Sequence, residues 1–166
     1  MDVVVANVDQ STILMDIELA NVDKKNLSDF KHLHNCIFPI AYSNQFYKEI
    51  FIGKRPALYE VAYVDQKPVG VLSAQVNEDK GKKELYVLSL GCKILHRRKG
   101  IGSRLLSSAL KYAYSHNCGQ IRLHVQESNE SALQFYKMHG FVESSRETDF
   151  YKRLHPSGAI IMRRDL

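Results

Sequence analysis

The chain is poor in cysteine, with Cys36, Cys92 and Cys118 its only three in 166 residues. An odd count without a CxxC pair argues against a disulfide framework and for free thiols in a reducing compartment. No apolar run approaches the roughly 20 residues of a membrane helix, so a soluble protein with no membrane partner is expected. Residues Met1 to Ala6 carry no basic leader and their apolar run is too short for a signal peptide, so secretion is not expected. Zinc-finger spacing is missing: His32, His34 and Cys36 have no second ligand cluster, and no metal is expected. The aromatic-basic pattern of RNA-binding strands is missing too, and the net charge of +5 is spread over several elements. That charge suits an anionic ligand or an acidic neighbour better than direct contact with nucleic acid. With no repeat, low-complexity tract or linker, the length fits one domain over residues 13 to 166, after a flexible leader of residues 1 to 12.

Against this background one segment is concentrated: His96-Arg97-Arg98-Lys99-Gly100-Ile101-Gly102. An isolated basic run of this kind is usually a solvated patch or an import signal. Here it follows an apolar strand-like run, Glu84 to Leu90, and opens a helix-like run, Ile101 to Tyr114. Gly100 and Gly102 keep side chains away, so the unpaired N–H groups of the helix's first turn can face an anion. The helix dipole and the arginines favour the same charge. No Gly-Lys-Ser/Thr follows, so it is not a Walker loop, and the three-glycine dinucleotide fingerprint is absent. A phosphate-bearing cofactor held without a metal remains.

The hydrophobic pattern places the other elements. Ile13 to Ala20 reads as a first strand, Asn26 to Asn35 as a helix, and Asn44 to Phe51 as a second short helix capped by Ser43. Pro39 interrupts between the helices. Leu58 to Val64, Val69 to Asn77 and Glu84 to Leu90 read as a meander, its first turn being Asp65-Gln66-Lys67-Pro68. The helix from Ile101 buries Leu105, Leu106, Ala109, Leu110 and Ala113, and Gln120 to Val125 follows as a strand. Strand, helix and strand form a crossover that makes its two strands parallel. Ser128 to Ser131 starts another helix, and strands are expected at Phe141 to Arg146, Phe150 to Leu154 and Ala159 to Arg163. The fold class is therefore α/β: a mixed, mostly antiparallel central sheet flanked by helices.

The order meander, Arg97-x-x-Gly100-x-Gly102, crossover, Asn-containing helix and Tyr136 with Gly140-Phe141 resembles the GCN5-related N-acetyltransferase (GNAT) family, over nearly the whole chain from about Ile13. Within it, Phe38-Pro39-Ile40-Ala41-Tyr42, Leu85 to Cys92, Leu123-His124-Val125-Gln126 and Asn129-Glu130-Ser131-Ala132 look like the NatE-type N-terminal acetyltransferases.

The resemblance implies acetyl-CoA as cosubstrate, with its pyrophosphate over Arg97, Arg98, Lys99, Gly100, Ile101, Gly102 and Ser103. Its pantetheine arm would follow Leu88, Leu90, Gly91 and Cys92, where a bulge near Leu90-Gly91 is expected to splay the strand. Asn129, Ser131 and Tyr136 would line the far side, Tyr136 near the sulfur; Asn129 as a plain helix cap and Tyr136 as plain packing are equally compatible with their spacing. Tyr86 and His124 match the family's general-base positions. They would deprotonate the attacking amine through an ordered water, with Tyr86 expected on the face of Leu88 and Leu90. Substrate would lie between Phe38, Pro39, Ile40, Tyr42 and Leu88 on one side and Phe150, Tyr151, Arg153 and Leu154 on the other. The implied substrate is a retained Met followed by a hydrophobic residue at a nascent or mature protein N-terminus. Leu88, Phe150 and Ile40 depart from the family pattern, where methionine, tyrosine and a smaller aliphatic residue are common. The family further implies a NatA-type complex at the ribosome as partner and a cytoplasmic location, with the nucleus as a second compartment. Two other roles fit the same residues, acetylation of internal lysines and a mainly non-catalytic subunit.

Overall fold

The computed structural model describes residues 15–166; the expected leader and the first residues of the expected first strand lie outside these. Among the described residues, seven strands form one sheet in the order β1-β2-β3-β4-β5-β7-β6. They are β1 (Glu18–Asn21), β2 (Ala57–Val64), β3 (Lys67–Asp79), β4 (Lys82–Cys92), β5 (Gln120–Gln126), β6 (Val142–Glu147) and β7 (Ala159–Asp165). The helices are α1 (Leu27–Ile37), α2 (Asn44–Ile52), α3 (Ile101–Ser115) and α4 (Glu130–Met138). Neighbouring strands are antiparallel except β4 and β5, which the α3 crossover makes parallel.

Helices cover both faces. Phe30 and Leu33 of α1 and Tyr47 of α2 pack on Val61 and Val71. Ile101, Leu105, Leu106 and Ala109 of α3 and Tyr136 of α4 pack on Leu72, Ala74, Leu85, Val87, Ile121 and Leu123. The strands alternate between these two cores as the pleat requires.

Several details differ from the sequence reading. The first hairpin turn contracts to Asp65-Gln66, both at positive φ, and Pro68 joins β3 beside a register shift, where a missing N–H is tolerated. Phe150 to Leu154 is not a strand; it lies in the β6–β7 connection, where Tyr151 N–H donates to Ser157 O at 2.8 Å and Leu154 N–H to Tyr151 O at 2.8 Å. Aromatic alternation there reflects packing rather than ladder pairing. The bulge in β4 is at Leu88: Ser73 pairs with Ser89 and Ala74 with Val87, leaving Leu88 unmatched. This extra residue reverses the alternation beyond it. Leu90 and Cys92 therefore pack with the α3-side core, whereas Tyr86 and Ser89 face α1.

A buried polar chain ties the bulge to α1. His34, 1% exposed, donates Nδ1–H to Phe30 O at 2.9 Å, which leaves Nε2 to accept from Ser89 Oγ at 3.0 Å; Ser89 in turn accepts from Ser73. Burial lowers the His34 pKa below the ordinary 6.5, against a smaller opposing contribution from the Phe30 carbonyl. The unfolded chain thus binds more protons at His34 than the folded one just below pH 6.5, so stability falls as pH drops through that window. Chemical denaturation from pH 7.5 to 5.5 should show this loss, and His34→Gln should flatten it. Glu60, raised by burial, acts in the opposite direction but is common to both proteins.

Candidate active site

Just before the bulge β4 parts from its parallel neighbour. The β4–β5 pairing covers only Glu84↔Gln120, Leu85↔Ile121 and Tyr86↔Arg122. Past Tyr86 a wedge opens between Val87 to Leu90 and Leu123 to Gln126, and backbone groups inside a sheet become available to a ligand. Tyr42, on the connection from α1 to α2, donates its hydroxyl to Leu88 O at 3.0 Å and so holds the bulged peptide.

The wedge belongs to a groove of about 440 Å³. Of the residues singled out from the sequence, Phe38, Pro39, Ile40, Tyr42, Tyr86, Leu88, Leu90, His124, Asn129, Tyr136, Phe150, Tyr151 and Leu154 line it together. Arg153 is exposed and outside this lining, as is Ser131, whose hydroxyl donates to Asn129 Oδ1 at 3.3 Å. Asn129 does two things at once: its side chain caps α4 by accepting from Ala132 N–H at 3.2 Å, and it lines the groove. Leu123, Val125 and Gln126 of β5 also line the groove; they were named only within a segment that carries the resemblance and given no site role, although their shared strand with His124 was an available signal.

Gly91 and Cys92 continue β4 beyond the lining. A Cβ on Gly91 would stand 2.7 Å from the Ile37 methyl and 3.2 Å from the Phe38 ring, so this glycine admits the end of α1. Gly102 likewise admits the Phe135 ring, 3.3 Å from where its Cβ would be. At the start of α3, Gly100 takes φ 84° and no side chain caps the helix. The first turn, with Ile101, Gly102 and Ser103, therefore presents bare N–H groups beside Arg97, Arg98 and Lys99. This is an anion site in form. Ser103 Oγ sits 3.1 Å from Nε2 of His139, whose Nδ1–H donates to Phe135 O at 2.8 Å.

At the point where the strands part, Tyr86 Oη is 2.8 Å from His124 Nδ1. Both side chains lie on the α1 face, since Tyr86 pairs with Arg122 and His124 is two residues further along β5. The Arg122 guanidinium lies 5.1 Å over the Tyr86 ring and binds both oxygens of Glu84 at 2.8 to 3.2 Å. Burial raises the Tyr86 pKa, with Arg122 opposing more weakly, so its hydroxyl holds its proton at neutral pH. Burial raises Tyr42 and Tyr151 as well, each to about 12, and pushes Tyr136 further still. Such phenols donate hydrogen bonds and protons readily only to strong bases. Two neighbours of His124 come from the β6–β7 hairpin: Glu147 Oε2 lies 3.0 Å from Nε2, and the Phe150 ring stacks on the imidazole at 4.0 Å and 7°. Glu147 was not among the residues singled out, because the expected strand stopped at Arg146.

Gly91→Ala tests the close contact under the groove. An overlap with the branched Ile37 side chain should cost about 1–3 kcal/mol in equilibrium unfolding.

Residues 27–141 match the model of the acetyltransferase (GNAT) family. N-alpha-acetyltransferase 50 of Danio rerio is 36% identical over 152 residues, covering 90% of this chain and 89% of that protein. The san protein of Drosophila melanogaster is 31% identical over 151 residues, covering 90% and 81%. Among solved structures, Arabidopsis thaliana Naa50 in complex with the bisubstrate analogue CoA-Ac-MVNAL superposes with a TM-score of 0.81 at 28% identity, covering 90% of this chain and 99% of that one.

Proposed function

The chain belongs to the acetyltransferase (GNAT) family, and we propose that it moves acetyl from acetyl-CoA to the free α-amine of protein N-termini, preferring a retained Met followed by a hydrophobic residue. The N-terminal acetyltransferase assignment follows the Danio and Arabidopsis relatives. The observation that carries the chemistry is the Tyr86–His124 contact at the mouth of the parted strands. A protein α-amine, with a pKa of about 7.7–8.0, needs only a modest base near neutrality, whereas a lysine amine near 10.4 needs far more help. An imidazole supplies the former.

In this reading the bare first turn of α3 with Arg97 and Arg98 holds the pyrophosphate, and the wedge beside Leu88 and Leu90 aligns the pantetheine arm. Backbone N–H groups freed at the bulge polarise the thioester carbonyl. His124 takes the proton that the amine loses as its nitrogen bonds to the carbonyl carbon. Tyr136, kept a phenol by burial, donates a hydrogen bond toward the departing thiolate, which takes its proton from solvent. Phe38, Pro39 and Ile40 oppose Phe150, Tyr151 and Leu154 across an apolar groove, which suits a Met side chain. The CoA-Ac-MVNAL analogue of the Arabidopsis relative, whose peptide letters begin with Met and an aliphatic residue, supports the same preference.

Purified protein with labelled acetyl-CoA should acetylate peptides beginning Met-Leu faster than those beginning Met-Lys, Ser or Glu. An α-blocked Met-Leu peptide carrying an internal lysine should stay unlabelled; equal labelling of blocked and free peptides would overturn the reading. His124→Ala and Tyr86→Phe should each lower kcat by about 10²-fold or more while acetyl-CoA affinity stays close to normal. Replacing Arg97 and Arg98 together with Gln should do the reverse, raising the KM for acetyl-CoA with little change in peptide preference.

A further inference from the structure

We propose that Glu147 is a positioning residue that fixes the tautomer of His124 and so sets the direction of proton flow from Tyr86; this rests on the catalytic reading of His124 given above. A neutral imidazole carries one proton on two nitrogens. Nε2 faces a carboxylate oxygen at 3.0 Å, and a carboxylate can only accept. The proton is therefore on Nε2, which donates to Glu147, and Nδ1 presents its lone pair at 2.8 Å from Tyr86 Oη. Tyr86, kept a phenol by burial, donates there. Its own oxygen lone pairs are left to accept a proton from the groove side.

The step balances. As the amine nitrogen bonds to the acetyl carbon and the thioester C–S bond breaks, the amine's surplus proton passes to the Tyr86 oxygen, directly or through one water, and the Tyr86 proton passes to Nδ1, while the CoA thiolate departs and takes up a proton from solvent. The resulting imidazolium holds two N–H bonds, one directed at the Glu147 carboxylate, whose charge offsets the new positive charge. The opposite tautomer would set a lone pair against that carboxylate and leave Nδ1–H pointing at Tyr86, with no base left for the amine.

The fold is shaped for this reach. Glu147 and Gln126 both pair with Ala159 of the intervening strand β7, while His124 pairs with Ile161 next along the same face. A small residue at Ala159 lets the Glu147 side chain cross β7 to the imidazole. Phe150, stacked on the ring at 7°, holds its plane so that both nitrogens face their partners. The His124 side chain is 7% exposed and Glu147 51%, so water competes for the carboxylate but has little access to the ring.

Imidazole ¹⁵N spectra of the full chain test this directly. The unmodified protein should show His124 protonated on Nε2. Glu147→Ala should shift the signal toward a mixture with the Nδ1–H form and lower kcat about 10- to 100-fold, the size of one charge-assisted hydrogen bond, with the KM for acetyl-CoA unchanged. Glu147→Gln, whose amide oxygen still accepts from Nε2–H, should keep the tautomer and recover part of kcat. An unchanged tautomer in Glu147→Ala would overturn the proposal, and so would unchanged kcat in both variants. Failure of the catalytic reading looks different: the unmodified protein transfers no acetyl group, whereas the tautomer is read without turnover.

Discussion

The parting of two parallel strands after three paired residues is the constraint on which this molecule's chemistry depends. Leu88, the extra residue in β4, bends that strand away from β5 and leaves peptide groups facing a groove instead of a neighbour. Unpaired peptide groups inside a sheet are costly, so the gap must be filled or its walls must be held. The walls are held. Tyr42 satisfies the Leu88 carbonyl, and the Ser73–Ser89–His34 chain anchors the strand just past the bulge to α1.

The same irregularity decides which side chains meet. By reversing the alternation of β4, the bulge lets Leu85, Val87, Leu90 and Cys92 all pack with the α3-side core while Tyr86 and Ser89 face α1. Tyr86, set by the pairing with Arg122, meets His124 from the last paired position before the gap. The group with the form of an anion site is separate, at the uncapped start of α3. In the proposed reading, alignment falls to the bulged strand, anchoring to the β4–α3 turn that follows it, and proton movement to the facing pair of Tyr86 on β4 and His124 on β5.

Much of this was legible because the pattern was local. The period of apolar residues and the capping residues located the four α-helices of the described residues, and the crossover implied the parallel pair. The basic turn stood out because Gly100 and Gly102 combine with arginines just before an amphipathic helix. Other features depended on distant contacts. The resemblance led to a bulge near Leu90-Gly91, but its actual position at Leu88 is defined only by the pairing with β3. The role of Gly91, whose lack of a side chain lets Ile37 and Phe38 come close, depends on α1 and is not announced by its neighbours in sequence. Phe150 to Leu154 has the composition of a strand, yet its aromatics fold over His124 instead of pairing. Glu147 escaped notice because only the β6–β7 register carries it across Ala159.

A co-crystal structure with acetyl-CoA tests the central claim most directly. The account places the thioester in the wedge between Leu88 and Val125, its carbonyl oxygen within hydrogen-bond reach of a β4 backbone N–H and its carbonyl carbon facing the side on which Tyr86 and His124 meet. A cofactor bound at the start of α3 whose pantetheine arm avoids the gap between β4 and β5, leaving the acetyl group remote from Tyr86 and His124, would contradict it.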